Sequence, residues 1–289
     1  MFDILSSLKN VQMLQDNKTN KLYLSALLKG SKYLSFFNRF EEKLIERNIQ
    51  FELLENTNDI WARDYMPVQI EEDKFVQFVY NPSYLKKYPE LLTNVDPILS
   101  AIGVETIKSK LLVDGGNVIR SKDKIFICDR IFSENGGLEK SYILRELETV
   151  FETDKIIILP TDPEDEFGHA DGVVRVIDTD TVLINQYRHE DASYKGQLLA
   201  VLKEAKLNWE ELPFNPYDNK NKLDAKGIYL NYLQMEGVLF LPIFGLREDD
   251  LAIKKMEELF SASTIVPIMS NEIAKQGGVL NCISWNIKV

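Results

Sequence analysis

SKYLSFFNRFEEKLIERNIQFELLENTNDIWARDYMPVQIEEDKFVQFVY, residues Ser31 to Tyr80, changes its hydrophobic period partway along. The first part places Leu34, Phe37, Phe40, Leu44 and Ile45 on one face of a helix. The remainder, in QFELLE, MPVQI and KFVQFVY, alternates or runs apolar between turn residues, as strands do. One helix and about three short strands form a unit. The unit recurs. Further helical patterns open at Lys87 (weakened by Pro97, which is expected to kink or divide it), Gly137, Ser193 and Arg247, so that successive starts lie 56, 50, 56 and 54 residues apart. The intervals carry NVIRS, KIFIC, KIIILP, GVVRVID, TVLINQY, GIYLNYLQM, VLFLPIF and TIVPIM. Five such α/β units around an axis make a five-bladed α/β propeller with pseudo-fivefold repeats. A doubly wound sheet competes, but it would use about one strand per helix. No Pro/Gly/Ser-rich linker interrupts the pattern, so residues 1–289 are expected to form one domain. The polar stretch Asn215 to Gly227 is read as a surface loop, with a lid over a site as the alternative.

Bulk composition narrows the function. The chain has 289 residues, 45% hydrophobic and 27% charged, the balance of a globular protein. Net charge is −11 and no Lys/Arg cluster stands out, so a nucleic-acid partner is not expected. The opening MFDILSSLKNVQML lacks the basic and apolar regions of a signal peptide, and no apolar run approaches the ~20 residues of a membrane span. A cytoplasmic, membrane-free protein is the expectation, with homo-oligomerisation left open. Of the two cysteines, Cys128 in KIFICD reads as a buried small hydrophobe. No metal-binding spacing occurs, so no metal is expected. Only His169 and His189 could supply an imidazole, and His189 in YRHED reads as surface.

Four polar stretches do not read as ordinary turns: WARDYMPV (Trp61–Val68), DGGN (Asp114–Asn117), FGHADG (Phe167–Gly172) and GGVLNC (Gly277–Cys282). Measured from the preceding helix start, Asp64 lies 33 residues on, Asp114 27, His169 32 and Cys282 35. In a closed ring of repeats, equal phases converge at one end of the axis. A cysteine is a nucleophile when its thiolate is stabilised, and a histidine serves as acid and base near neutral pH. The surplus of carboxylates, including Asp171 two residues after His169, suits a ligand with its own positive charge. A planar guanidinium matches carboxylates two-pronged. Each piece has a plainer reading alone: a structural cysteine, a turn histidine, a hairpin at Gly115-Gly116, a local Arg63–Asp64 pair. Their shared phase favours the joint one.

These four stretches, in this order, resemble the signature segments of the guanidino-group-modifying enzymes, nearest to the agmatine deiminase and Porphyromonas-type peptidylarginine deiminase branch. Tyr229-Leu-Asn231-Tyr232 and Leu241-Pro242-Ile-Phe244-Gly245 fit that branch too. The resemblance implies the pentein fold, a five-bladed α/β propeller, with no metal or organic cofactor. It implies that Cys282 attacks the guanidinium carbon, that Asp64 and Asp171 hold its nitrogens, and that His169 protonates departing ammonia and then activates water. Asp114 would support the histidine and Trp61 would wall the pocket; Asn117 and Asn281 are added as substrate contacts. The partner would be a small cationic guanidine. The chain departs from the branch at Met66, where Gly is usual, at Asp114 in place of Glu, and at Asn281 in place of His. These positions bear on pocket shape, so agmatine, arginine, methylated arginine and peptidyl arginine all stay open as substrates. An amidinotransferase, a non-catalytic pentein binding protein and a cysteine amidase on a doubly wound sheet are the alternatives.

Overall fold

The computed structural model describes residues 12–289. The reading of the N-terminus as free of a leader falls mainly on residues 1–11, outside the described residues. From Lys21 onward the chain builds five three-stranded sheets. In chain order the elements are β1 (Lys21–Ser25), α1 (Leu34–Glu46) and β2 (Gln50–Leu54); then the short α2 (Ala62–Tyr65), β3 (Val68–Glu71), β4 (Lys74–Val79), α3 (Val95–Ile102) and β5 (Ile107–Leu112). They continue with β6 (Ile119–Arg120), β7 (Ile125–Cys128), the short α4 (Arg130–Glu134), α5 (Lys140–Phe151) and β8 (Ile156–Leu159). Next come β9 (Val174–Val176), β10 (Thr181–Asn185), α6 (Ala192–Glu204) and β11 (Asn208–Leu212). The last are β12 (Leu233–Met235), β13 (Val238–Ile243), α7 (Glu248–Leu259), β14 (Thr264–Met269), the short α8 (Asn271–Ala274) and β15 (Ser284–Ile287).

Each sheet has one plan. Its first strand pairs antiparallel with the middle strand, and the third pairs parallel with it. A parallel neighbour requires a crossover of a dozen or more residues, and one long helix supplies it in every unit. The ring is closed by the chain ends. β15 is the first strand of the sheet whose middle strand is β1, with Leu22 opposite Asn286 and Tyr23 opposite Trp285. This is the expected five-unit propeller, and the doubly wound sheet is excluded.

The helices bury one stripe against the sheets. In α1 that stripe is Phe36, Phe37, Phe40 and Leu44, in one cluster with Phe240 of β13. Burying each such side chain contributes about 1.5–3 kcal/mol. Leu34 and Ile45, expected on this face, are exposed instead at 42% and 63%. They lie roughly 100° or more around the helix from the stripe's centre. Pro97 does not divide α3. It falls in the first turn, where a missing N–H leaves no helical bond unmade, and Asn94 caps that turn by accepting from Asp96 N at 3.2 Å. GIYLNYLQM is not one strand either; Leu233–Met235 forms β12, and ahead of it Ile228 makes an isolated bridge to Phe214.

Candidate active site

Each unit enters its first strand through a tight turn, and the five turns are stitched into a ring. Arg63 N donates to Cys282 O at 3.0 Å, and Gly116 N donates to Asp64 Oδ1 at 3.1 Å. His169 Nε2 meets Asp114 Oδ2 at 3.0 Å. Asn231 Nδ2 donates to Asp171 Oδ2 at 3.2 Å, and Asn281 N donates to Asn231 O at 3.0 Å. The four segments singled out by phase therefore converge at one end of the axis, joined by a fifth at Asn231. Gly115-Gly116 is not a hairpin. A Cβ on Gly115 would lie 2.0 Å from Arg63 O, and one on Gly116 would lie 2.5 Å from Asp64 Oδ1 and 2.8 Å from His169 Nδ1. The two glycines let neighbouring turns touch.

His169, Asp171, Asn231 and Cys282 line a cavity of about 590 Å³. The cysteine is 8% exposed. Its Sγ lies 3.7 Å from Asp171 Oδ2 and accepts from Asn231 Nδ2 at 3.0 Å. Burial, then the charges of Asp171 and Asp64, push its thiol well above the ordinary range. His169 is held between two acids, with Asp64 Oδ1 3.6 Å from Nδ1 and Asp114 on Nε2. Burial favours the neutral ring, but Asp64, Asp114 and Asp171 outweigh it and raise the pKa to about 10. An imidazolium at neutral pH donates from both nitrogens. Tyr84 OH donates to the same Asp114 oxygen at 2.8 Å. Burial and the neighbouring carboxylates Asp114, Asp171 and Asp59 push Asp64 up to about 8, although His169 opposes them. Four carboxyl groups, Asp59, Asp64, Asp114 and Asp171, thus surround a single imidazole, an arrangement suited to a cationic ligand.

Not every expected contact reaches the cavity. Asn117 spends its amide on the backbone of Cys128, accepting from N at 2.8 Å and donating to O at 3.5 Å, so it latches the Gly-Gly turn to β7. Asn281 points away from the cavity; it donates to Asp171 Oδ2 at 2.7 Å and accepts from Arg63 Nη2 at 3.2 Å. Trp61 backs Gly278 instead of forming the cavity wall. Asp64 and Asp114 flank the His169 ring, on its Nδ1 and Nε2 sides respectively. Asn231 joins the site although its residue type gives no sign of it. Its signal was its phase, 38 residues after Ser193, in the one unit that had supplied nothing to the site. Cys128 is fully buried in the core and His189 is exposed, as expected.

The outer cavity is acidic as well. Seven carboxylates line it against two permanent cations, Arg188 and Lys222. Lys222 pairs with Glu164 at 2.8 Å, while Arg188 bonds Asn215 Oδ1 and lies 4.0 Å over the Tyr217 ring. The loop from Asn215 to Gly227 supplies part of this wall and so covers the site. Among the described residues no cluster of His, Cys, Asp and Glu is arranged to hold a metal ion, and no helix is long and apolar enough to cross a membrane.

Known proteins place the fold. The C. jejuni agmatine deiminase structure superposes with a TM-score of 0.80 at 20% identity, covering 96% of both chains. DDAH from Pseudomonas aeruginosa superposes with a TM-score of 0.58 at 11% identity, covering 93% of this chain and all of the other. These likenesses identify the pentein fold. A protein of Mycoplasma mycoides subsp. mycoides named for agmatine deiminase is 22% identical over 285 residues, 83% of this chain and 78% of its own length. Residues 6–287 match the Porphyromonas-type peptidyl-arginine deiminase family, and the chain belongs to that family of hydrolases acting on C–N bonds.

Proposed function

We propose that this protein hydrolyses a small aminoalkyl guanidine of the agmatine type to a ureido product and ammonia, with residues 1–289 acting as one catalytic domain. The observation that carries this reading is that four carboxyl groups, Asp59, Asp64, Asp114 and Asp171, surround one imidazole and one thiol. Asp171 and Asp64 take the guanidinium nitrogens. The bound cation favours the ionised sulfur, whose proton leaves to water, and the Cys282 thiolate adds to the guanidinium carbon, forming a C–S bond as the C=N π pair moves onto nitrogen. His169 Nδ1 then gives its proton to the departing nitrogen, which leaves as ammonia and yields a covalent thiouronium. Water, losing a proton to the now neutral His169, adds to that carbon. The C–S bond breaks, releasing the ureido product and the thiolate. Asp114 holds the ring by Nε2, which leaves Nδ1 for the reacting nitrogen.

The tail preference rests on the outer cavity. Asn185 Oδ1 is buried without a hydrogen-bond partner on a residue of the cavity wall. Burial and the like charges of Asp165 and Asp191 push Asp162 upward. Phe214, Tyr187 and Tyr217 supply aromatic rings beside these groups. An ammonium tail meets acceptors and π faces there; a carboxylate tail meets repulsion. A solved relative, a cysteine-to-serine variant of the C. jejuni agmatine deiminase, has substrate bound, in keeping with a cysteine nucleophile. The test is a panel of agmatine, arginine, methylated arginines and arginyl peptides, with ammonia and ureido product measured. Agmatine is expected to be turned over best, and Cys282→Ala to release no ammonia. Turnover that survives Cys282→Ala overturns the mechanism, and arginine preferred over agmatine overturns the tail assignment.

A further inference from the structure

Inside the ring, the guanidinium groups of Arg63, Arg120 and Arg175 gather around the single carboxylate of Asp16. Arg120 and Arg175 both bond it, and their side chains are only 5% and 2% exposed. Burial, and then the like charges of Arg120 and Arg175, lower the Arg63 pKa against the pull of Asp16 and Asp171. Arg63 and Arg120 line a small cavity where β3, β6 and β15 meet; its volume is about 10 Å³, the room of one water or small ion. The neutral side chains of the wall have spent their polar hydrogens elsewhere. Gln69 Nε2 donates to Glu72 O and Lys288 O at 2.8 Å each, and Trp285 Nε1 donates to Pro67 O at 2.7 Å. Asn286 Nδ2 donates to Thr19 Oγ1 at 2.7 Å and to Gln234 O at 3.1 Å. Their acceptors are taken as well, Asn286 Oδ1 by Arg63 Nη2 and Gln69 Oε1 by Lys288 N. The polar hydrogens that remain are cationic. Arg63 uses Nε and Nη2 on Asn281 and Asn286, and Arg120 uses Nη1 and Nη2 on Gln69 O and Asp16. Among the described residues, Arg63 Nη1 and Arg120 Nε have no acceptor, and no carboxylate lines the cavity.

We propose that this cavity is a binding site for one small monovalent anion of halide size, held by Arg63 and Arg120. A water molecule there accepts from the guanidiniums but finds no carboxylate and no free side-chain acceptor for its own hydrogens. An anion needs none. It accepts from both cations in charge-assisted bonds and offsets positive charge whose burial is otherwise costly. Size selects among anions: chloride and bromide suit a space of this volume, whereas sulfate, phosphate and organic carboxylates exceed it. The site is separate from the acidic cavity around His169, since the two share no lining residue. It is independent of the guanidine reading. Because the strands that meet here belong to three of the five sheets, the ion's effect falls on the stability of the ring.

Thermal unfolding at constant ionic strength tests the site, with sodium chloride exchanged stepwise for sodium gluconate, whose anion is far larger than the cavity. An anion that binds only the folded chain stabilises it by mass action. We expect the unfolding midpoint to climb about 3 °C for each tenfold rise in chloride above its dissociation constant, with bromide acting alike. Arg120→Gln, in which Arg175 still holds Asp16, should lose this dependence. Midpoints that stay within about half a degree across the exchange overturn the proposal. So does a chloride effect of equal size in Arg120→Gln, which places the ion elsewhere on the protein. Should that variant not fold, crystals of the unaltered protein grown in sodium bromide decide. An anomalous-scattering peak between Arg63 and Arg120 supports the site. No peak there, or peaks at the surface alone (an adventitious ion only), overturns it.

Discussion

Guanidinium binding should expel a proton from the site, and Asp64 is its source. Burial and the surrounding carboxylates place the Asp64 pKa at about 8, so at pH 7 roughly 90% of molecules hold the proton. A guanidinium favours the ionised carboxylate and lowers that pKa. The sign follows. The proton and the cation compete for one carboxylate, so binding weakens as pH falls below about 8. If the bound-state pKa drops below 6, affinity rises roughly 50-fold between pH 6 and pH 8, and about 0.9 proton leaves per ligand at pH 7. The assay is titration calorimetry of agmatine into Cys282→Ala, in buffers of different ionisation enthalpy. His169, held up to about 10 by its acidic neighbours, does not titrate alone in this window. A cation would weaken its hold, however, so Asp64→Asn is the control, expected to abolish the release. Buffer-independent heats with flat affinity from pH 6 to 8 would refute the reasoning, as would release that persists in Asp64→Asn.

Three further outcomes follow from the structure. The free protein should lose thermal stability from pH 7 to 10: the raised His169 pKa gives stability that is full below about 6.5 and lost as pH rises through about 10, and agmatine should restore it. Asp16→Asn should lower stability by about 3–5 kcal/mol in a thermal or urea unfolding curve. Its carboxylate pairs with buried Arg120 and Arg175, and its pKa is lowered because Arg120, Arg63 and Arg175 together outweigh burial, so this contribution fades in acid. Gly278→Ala places a methyl 2.7 Å from the Trp61 ring and 3.0 Å from Cys282 Sγ, so kcat should collapse while overpacking costs only about 1–3 kcal/mol of stability.

The fivefold plan was legible because each unit repeats the one strong periodic signal a sequence carries, an amphipathic crossover helix. Four strands carry a weaker mark; one is β1 (KLYLS), a middle strand whose apolar run is only three residues long. β5 (IKSKLL) and β11 (NWEEL) are third strands at sheet edges, where Lys and Glu face solvent and blur the alternation. β15 (SWNI) is buried throughout yet carries Ser and Asn, because its polar side chains meet other polar groups inside the ring. The site was legible where its chemistry uses rare residues, as at Cys282 and His169. It was opaque where it uses amides. Asn reads as a turn former at Asn117, Asn231 and Asn281 alike, and only burial and partners separate the latch, the thiol donor and the support for Asp171.

The same register that makes the site also builds its counterweight. Four residues after Gly116, Asp171 and Cys282, past the turns and inside β6, β9 and β15, lie Arg120, Arg175 and Asn286. Here the inward polar groups are cationic: Arg120 bonds Gln69 O and Asp16, and Arg175 bonds Tyr232 O and Asp16. Arg63 joins the two regions, bonding Asn286 on one side and Asn281 on the other, and Asn281 donates onward to Asp171. Asp171 Oδ2 therefore receives two amide donors, Asn231 and Asn281, whereas Asp64 receives one backbone N–H from Gly116. That inequality divides the labour between the carboxylates. Asp171 is braced from inside the ring before any ligand arrives. Asp64 is left with fewer donors, holds its proton up to about pH 8, and is the group expected to release it when a cation binds.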